Sequence, residues 1–335
     1  MLNKEEFKLT KGTGGLAFLL ALLIPQLVGG VGIMIVAFIM GYSQGVNPQT
    51  ILTSDSMLFA SLAITQVIMG LVIVFVCKGG RNAVKISRFS APKSGQHSIM
   101  TILLFIGIFF GLSITASLFL EFLGLFGYTP TATGFPSIDT LPKYLLAIVV
   151  VAILPAVFEE LLFRGVILNS LMPFGKWVAI IFSGFLFMLM HASPMQTLYQ
   201  FLIGMVLALV VIKTGNIFYT MLLHFLNNFL AITFEYFNVF SSESEFPVFL
   251  VVGSLLLFIV GIVFFLREND AIVKIDDKCF ENIVLSDDER MNKILVAKEK
   301  SKRSGDNALM IISYAIGILF CVMMWSMMFV EGLPK

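Results

Sequence analysis

The stretch KYLLAIVVVAILPAVFEELLFRGVI, residues 143–167, decides the reading of the fold. It is apolar over most of its length, yet its second half carries two glutamates and an arginine. A membrane-spanning helix needs about 20 mostly apolar residues. Similar runs recur on both sides of this one, at 14–40, 57–77, 99–126, 177–191, 196–212, 217–237, 246–266 and 308–330. The segments 177–191 and 196–212 are short for spans. Lipid offers the backbone no hydrogen bonds, so only helices and closed barrels cross it. Continuous apolar runs lack the alternation of barrel strands. The expected fold is an all-α polytopic transmembrane bundle of about 8–9 spans.

Composition agrees. Hydrophobic residues make up 58% of the chain and charged residues 13%, against about 25% charged in soluble domains. The net charge of +1 gives no polybasic or acidic bias, which argues against a nucleic-acid partner and leaves membrane lipid as the surrounding one. Cys77, Cys279 and Cys321 are scattered and form no CxxC pair, so neither a disulfide framework nor a thiolate metal site is expected. The first apolar run is too long for a signal-peptide core and reads as a retained span.

The loop after the second span holds Lys78, Arg81, Lys85, Arg88 and Lys93. Lys176, Lys213 and the polar segment 267–307 fall on the same side if spans alternate, and Glu243 and Glu245 on the other. By the positive-inside rule the N-terminus is cytoplasmic and the C-terminus outside. Segment 267–307 has nearly balanced charge and a weak helical pattern over 287–302. It reads as a solvated linker or small helical hairpin.

An ionisable group inside a span costs roughly 2.5–3.5 kcal/mol on insertion scales, so each needs an explanation. The set is Glu121, Glu159, Glu160, Arg164, His191, His224 and Glu235, five of them between 159 and 224. Glu160 and Arg164 are four apart and share a helix face in the favoured order for an ion pair. Glu159 points elsewhere and lacks a local partner, which leaves it open to act as a general base. Phe187 lies one turn behind His191. His224 and Asn228 share a face and could either cross-link helices or offer two donors to an oxyanion. Glu121 and Glu235 read as interfacial, and His97 as a solvated residue of the basic loop.

Taken in order, EExxxR, FxxxH and HxxxN on three apolar helices resemble the CPBP group, the CAAX-protease and bacteriocin-processing (Abi) family of intramembrane endopeptidases. The matching residues are Glu159, Glu160, Arg164, Phe187, His191, His224 and Asn228, and the resemblance covers about 141–236. It divides the chain into N-terminal helices (1–140), a catalytic-type core (141–237), one further helix (238–266), the polar segment (267–307) and a C-terminal helix (308–335). It implies peptide-bond hydrolysis in the membrane, with Glu159 as base assisted by His191, and His224 and Asn228 stabilising the oxyanion. Glu160 counts among these catalytic residues, in an orienting role, and Arg164 and Phe187 support them. The substrate would be a membrane-anchored or other peptide. The family has been described both as metallo- and as glutamate proteases. A metal-independent reaction is the preferred expectation, with zinc at Glu159, His191 and His224 the alternative; the HExxH signature is absent.

Two other functions use the same residues. One is a non-catalytic bacteriocin-immunity or binding protein in which they cross-link helices. The other is a proton-coupled transporter in which they form a relay, against which the lack of an internal repeat counts. Depth raises a further condition. At 1.5 Å per residue, Glu159 and His224 fall in the cytoplasmic half and His191 nearer the outer side. For them to meet, the fifth helix must start deeper than Trp177, tilt or break.

Overall fold

A computed structural model describes residues 9–92, 94–130, 135–239, 247–272 and 289–334, with the backbone alone for 289–302. Lys93, Glu243, Glu245, Cys279 and the middle of segment 267–307 lie outside the described residues. Among the described residues there are nine long helices, apolar over most of their length: α1 (Lys11–Gln44), α2 (Asp55–Val76), α3 (Gly95–Gly124), α4 (Leu141–Phe174), α5 (Lys176–Met190), α6 (Thr197–Thr214), α7 (Ile217–Tyr236), α8 (Val248–Arg267) and α9 (Glu289–Glu331), whose apolar part is Arg303–Glu331. Eight have the length and composition of a span; α5 is shorter. Two small helices, Pro48–Leu52 and Gly80–Ser87, join the first three. Among the described residues there is no strand. The chain is an all-α integral membrane protein.

Helices α4 to α7 form the interior, and their packed side chains include Leu162, Phe163, Leu186, Phe187 and Val210. Small residues set the closest crossing. A Cβ on Gly204 would stand 2.8 Å from the Gly184 Cα, so only two glycines let α5 and α6 meet backbone to backbone there. Asn216 fixes the start of α7. Its Oδ1 accepts from Phe218 N at 3.0 Å, and its Nδ2 donates to Ser90 O at 2.8 Å.

The fourth helix is where the sequence reading needs correction. It does not stop at 167 but runs to Phe174, turns at Gly175 and returns as α5. Gly175 has φ +103, a conformation that suits glycine. Glu160 and His191 are about equally far from this turn on the two arms, so at 1.5 Å per residue they reach the same depth. The expected mismatch came from the end of the fourth helix, not the start of the fifth.

Helix α4 is also irregular around its charges. Wide π-helical turns at Ile148–Ile153 and Leu161–Ile167 flank the α-helical turns Leu154–Glu160. Pro155 has no N–H to give to the carbonyl four residues back, that of Val151. Such a carbonyl inside a membrane needs another donor. It receives one from Asn228 Nδ2 at 2.9 Å, which ties α7 to the break in α4.

The polar segment does not begin as a solvated linker. Asp270 bridges Lys176 at 2.6 Å and Lys213 at 2.8 Å, Ile272 is buried, and the Ala271 and Ile272 amides donate to Ile212 O. Burial alone would raise the Asp270 carboxyl, but the two lysines outweigh it and hold the group below the usual carboxylate range. The far end of the segment is helical from Glu289 and continuous with the last span. His97 is likewise not simply solvated. Its ring packs about 6 Å from those of Tyr219, Phe264 and Phe265, with Nε2 3.7 Å from Glu268. Glu121 and Glu235 are exposed.

Candidate active site

Three helices and a turn bring the charged residues together. Glu160 is 0% and Arg164 1% exposed, and they pair through Arg164 Nη1 and Glu160 Oε1 at 2.9 Å. The same carboxylate oxygen accepts from His224 Nδ1 at 2.9 Å. A single buried carboxylate thus holds both a guanidinium on its own helix and an imidazole on α7. Arg164 Nη2 also donates to Gly204 O at 3.2 Å, at the glycine crossing of α5 and α6. The guanidinium lies 4.5 Å over the Phe187 ring, a cation–π arrangement. Phe187 also packs against the rings of His191 at 4.8 Å, Phe163 at 5.0 Å and His224 at 5.9 Å. Phe187 therefore touches Arg164 and both histidine rings at once.

Glu159 turns to another side of α4, as the helical spacing predicts, but it is not without a partner. Gln66 on α2 donates from Nε2 to Glu159 Oε1 at 2.9 Å. The other oxygen, Oε2, stands 3.9 Å from His224 Nε2, beyond direct hydrogen bonding. His224 thus lies between both glutamates, one on each ring nitrogen.

His191 caps the end of α5 with its Nδ1 2.8 Å from Phe187 O. A carbonyl only accepts, so Nδ1 carries the proton, and Nε2 of the neutral ring is a lone-pair acceptor. The next residue, Ala192, has φ +47, a left-handed conformation that costs an L-residue roughly 1–2 kcal/mol. Ala192→Gly is expected to leave the fold intact and raise stability by up to about 1 kcal/mol. Ala192→Val should lower the melting temperature and displace His191. Thermal unfolding of the two variants in detergent checks this; equal melting temperatures would count against it.

His191, His224 and Asn228 line one cavity of about 20 Å³ together with Gln200, Asn227 and apolar side chains including Ile203, Leu207 and Leu223. A site needs about 10–15 Å³ to hold a water, so this one admits a water among imidazole and amide groups. Asn227 and Tyr199 belong to the same polar strip. Tyr199 OH donates to Asn227 Oδ1 at 2.7 Å, and Asn227 Nδ2 to Asn228 Oδ1 at 3.3 Å. Among the described residues, no group of three His, Cys, Asp or Glu side chains is placed to hold a metal ion.

Sequence reasoning missed Gln66, Tyr199 and Asn227. A search for ionisable residues in spans passes over neutral amides and phenols. The usable signal for Gln66 was an amide in the midst of an otherwise apolar span.

The fold and site define an integral membrane protein that gathers two glutamates, an arginine, two histidines and an asparagine from separate helices. Residues 141–230 match the family model "Rce1-like", described as type II CAAX prenyl endopeptidase. All the motif residues lie within the match, so this segment is similar to that family. The match covers just over a quarter of the chain. Comparison with curated proteins and with solved structures returned no match.

Proposed function

We propose that the chain hydrolyses peptide bonds inside the membrane, with Glu159 activating a water in the cavity beside His191 and His224. The observation that carries this reading is the approach of Glu159 Oε2 to His224 Nε2, 3.9 Å, where His224 in turn lines a water-sized space with His191 and Asn228, a lining that does not include Glu159 itself. Hydrolysis needs a base, a nucleophilic water and donors at the developing oxyanion. Glu159 takes a proton from the water as its oxygen adds to the scissile carbonyl. His191 Nε2, an acceptor by its tautomer, orients that water. The oxyanion takes hydrogen bonds from His224 Nε2–H and from the second N–H of Asn228, whose first N–H is committed to Val151 O. The proton on Glu159 then passes to the leaving amine as the C–N bond breaks.

Glu160 acts through His224 in this scheme. A carboxylate on Nδ1 holds the imidazole in orientation and stabilises its doubly protonated form, the arrangement that lets Nε2 donate. With Glu159 and Glu160 ionised, one guanidinium and one imidazolium make the cluster neutral. Glu160, Arg164 and Phe187 are therefore positioning residues, and Glu159, His191, His224 and Asn228 are the reacting set.

The substrate is a membrane-anchored or hydrophobic peptide cut near its C-terminus or a span. The proposed location is the plasma membrane with a cytoplasmic N-terminus; the lysines and arginines between α2 and α3 support the orientation. The chemistry is proposed to need no metal. The test is mass spectrometry of peptides ending in a CAAX-type sequence, prenylated or not, incubated with the protein in proteoliposomes. Loss of C-terminal residues from either peptide is expected, at a rate unchanged by strong chelators. No cleavage of any peptide would sink the proposal. Abolition by chelator with recovery on zinc would sink its metal-free part.

A further inference from the structure

We infer that Gln66, on a helix outside the family-matched segment, is a positioning residue that sets the orientation of the Glu159 carboxylate; the inference rests on the hydrolase reading above. Glu159 is a hydrogen-bond acceptor when ionised, so the Gln66 amide must turn its NH₂ toward it, as the 2.9 Å contact has it. That choice directs the amide oxygen elsewhere. Gln66 Oε1 is sealed from solvent and has no hydrogen-bond partner among the described residues. The side chain is 8% exposed in the middle of an apolar helix. An amide kept only to tie two helices together would satisfy both ends. This one leaves its acceptor orphaned, at a cost, while committing its donor to the proposed base.

The backbone is arranged to permit the contact. Gly70 lies one turn from Gln66 on the same face of α2. A Cβ there would stand 2.6 Å from the ring of Phe158, the residue before Glu159. The glycine lets α2 approach α4 at the level of the carboxylate. With Oε1 of Glu159 anchored by Gln66, Oε2 is the oxygen left facing His224 Nε2. Without the anchor the carboxylate rotates about its last torsion, and neither oxygen is held toward His224 Nε2. Misplacement of this kind by about 1 Å can cost 10²-fold in rate.

The test uses the full chain in proteoliposomes and a peptide that the wild type cleaves. Gln66→Met is close in size and suits an apolar span. It is expected to lower kcat by about 10²-fold with KM within about twofold and an unchanged melting temperature. Gln66→His, which returns an N–H at similar reach, should recover most of the rate. Gly70→Ala, which pushes α2 away, should lower kcat in the same manner. Added to Glu159→Gln, the Gln66→Met change should cost nothing more, because the two act as a unit. An unchanged kcat in Gln66→Met, a loss confined to KM or to stability, or full additivity with Glu159→Gln would each overturn the inference. If Glu159→Gln itself keeps full activity, or the wild type cleaves nothing, the hydrolase reading falls and this one with it. If only Gln66→Met is silent, this inference alone falls.

Discussion

Glu159→Gln should lower kcat by about 10²–10⁴-fold, the usual worth of a general base, while leaving KM and thermal stability close to wild type. The carboxamide has the shape of the carboxylate. Its oxygen can still accept from Gln66 Nε2, which contacts Glu159 Oε1 at 2.9 Å, so the α2–α4 contact survives. What disappears is the ability to take a proton. Steady-state cleavage by purified protein, with melting followed in parallel, separates the cases. Retained activity in a folded variant would point to the binding or immunity reading, in which these groups only link helices. A pH-dependent flux carried by the variant-sensitive protein, with no cleavage, would point to a transporter instead.

The second large effect concerns folding. Arg164→Leu is expected to destabilise the protein by about 3–5 kcal/mol, because it strands a buried carboxylate without its cation. Both partners of the pair are almost wholly enclosed, so bulk solvent does not reach the 2.9 Å contact between them. The guanidinium also serves Gly204 O and covers Phe187, so Arg164→Lys should be poorly tolerated too: an ammonium cannot make the planar contacts together. The double change Glu160→Gln with Arg164→Met should recover much of the stability, since replacing a buried pair by neutral groups is often close to neutral. It should not recover cleavage, because His224 loses the carboxylate on Nδ1. Fluorescence-detected size exclusion after heating reads the stability and the peptide assay reads the rate. A melting temperature for Arg164→Leu equal to wild type would refute the argument.

Much of this site could be read from residue order. The pairing of Glu160 with Arg164, the divergence of Glu159 from them, and the shared faces of Phe187 with His191 and of His224 with Asn228 are consequences of helical spacing, and the described contacts have them all. The spans follow from apolar run length, and most of their ends agree within a few residues. The end of α4 was misread because 168–174 mixes polar and apolar residues, and Asn169 and Ser170, which are buried among helices, look in sequence like the edge of a membrane. Lys176 and Lys213 were read as loop charges; a carboxylate far along the chain, Asp270, engages both.

By itself, then, the sequence determined that this is a many-helix membrane protein and which few polar residues must find partners inside it, because charge in lipid is costly and a helix repeats every 3.6 residues. Which partner each group takes was decided only by tertiary structure. Glu160 holding His224, Gln66 holding Glu159 and Asn228 answering the carbonyl freed by Pro155 are contacts between helices. Helical periodicity says where a side chain points from its own axis, but nothing about the axis it will meet.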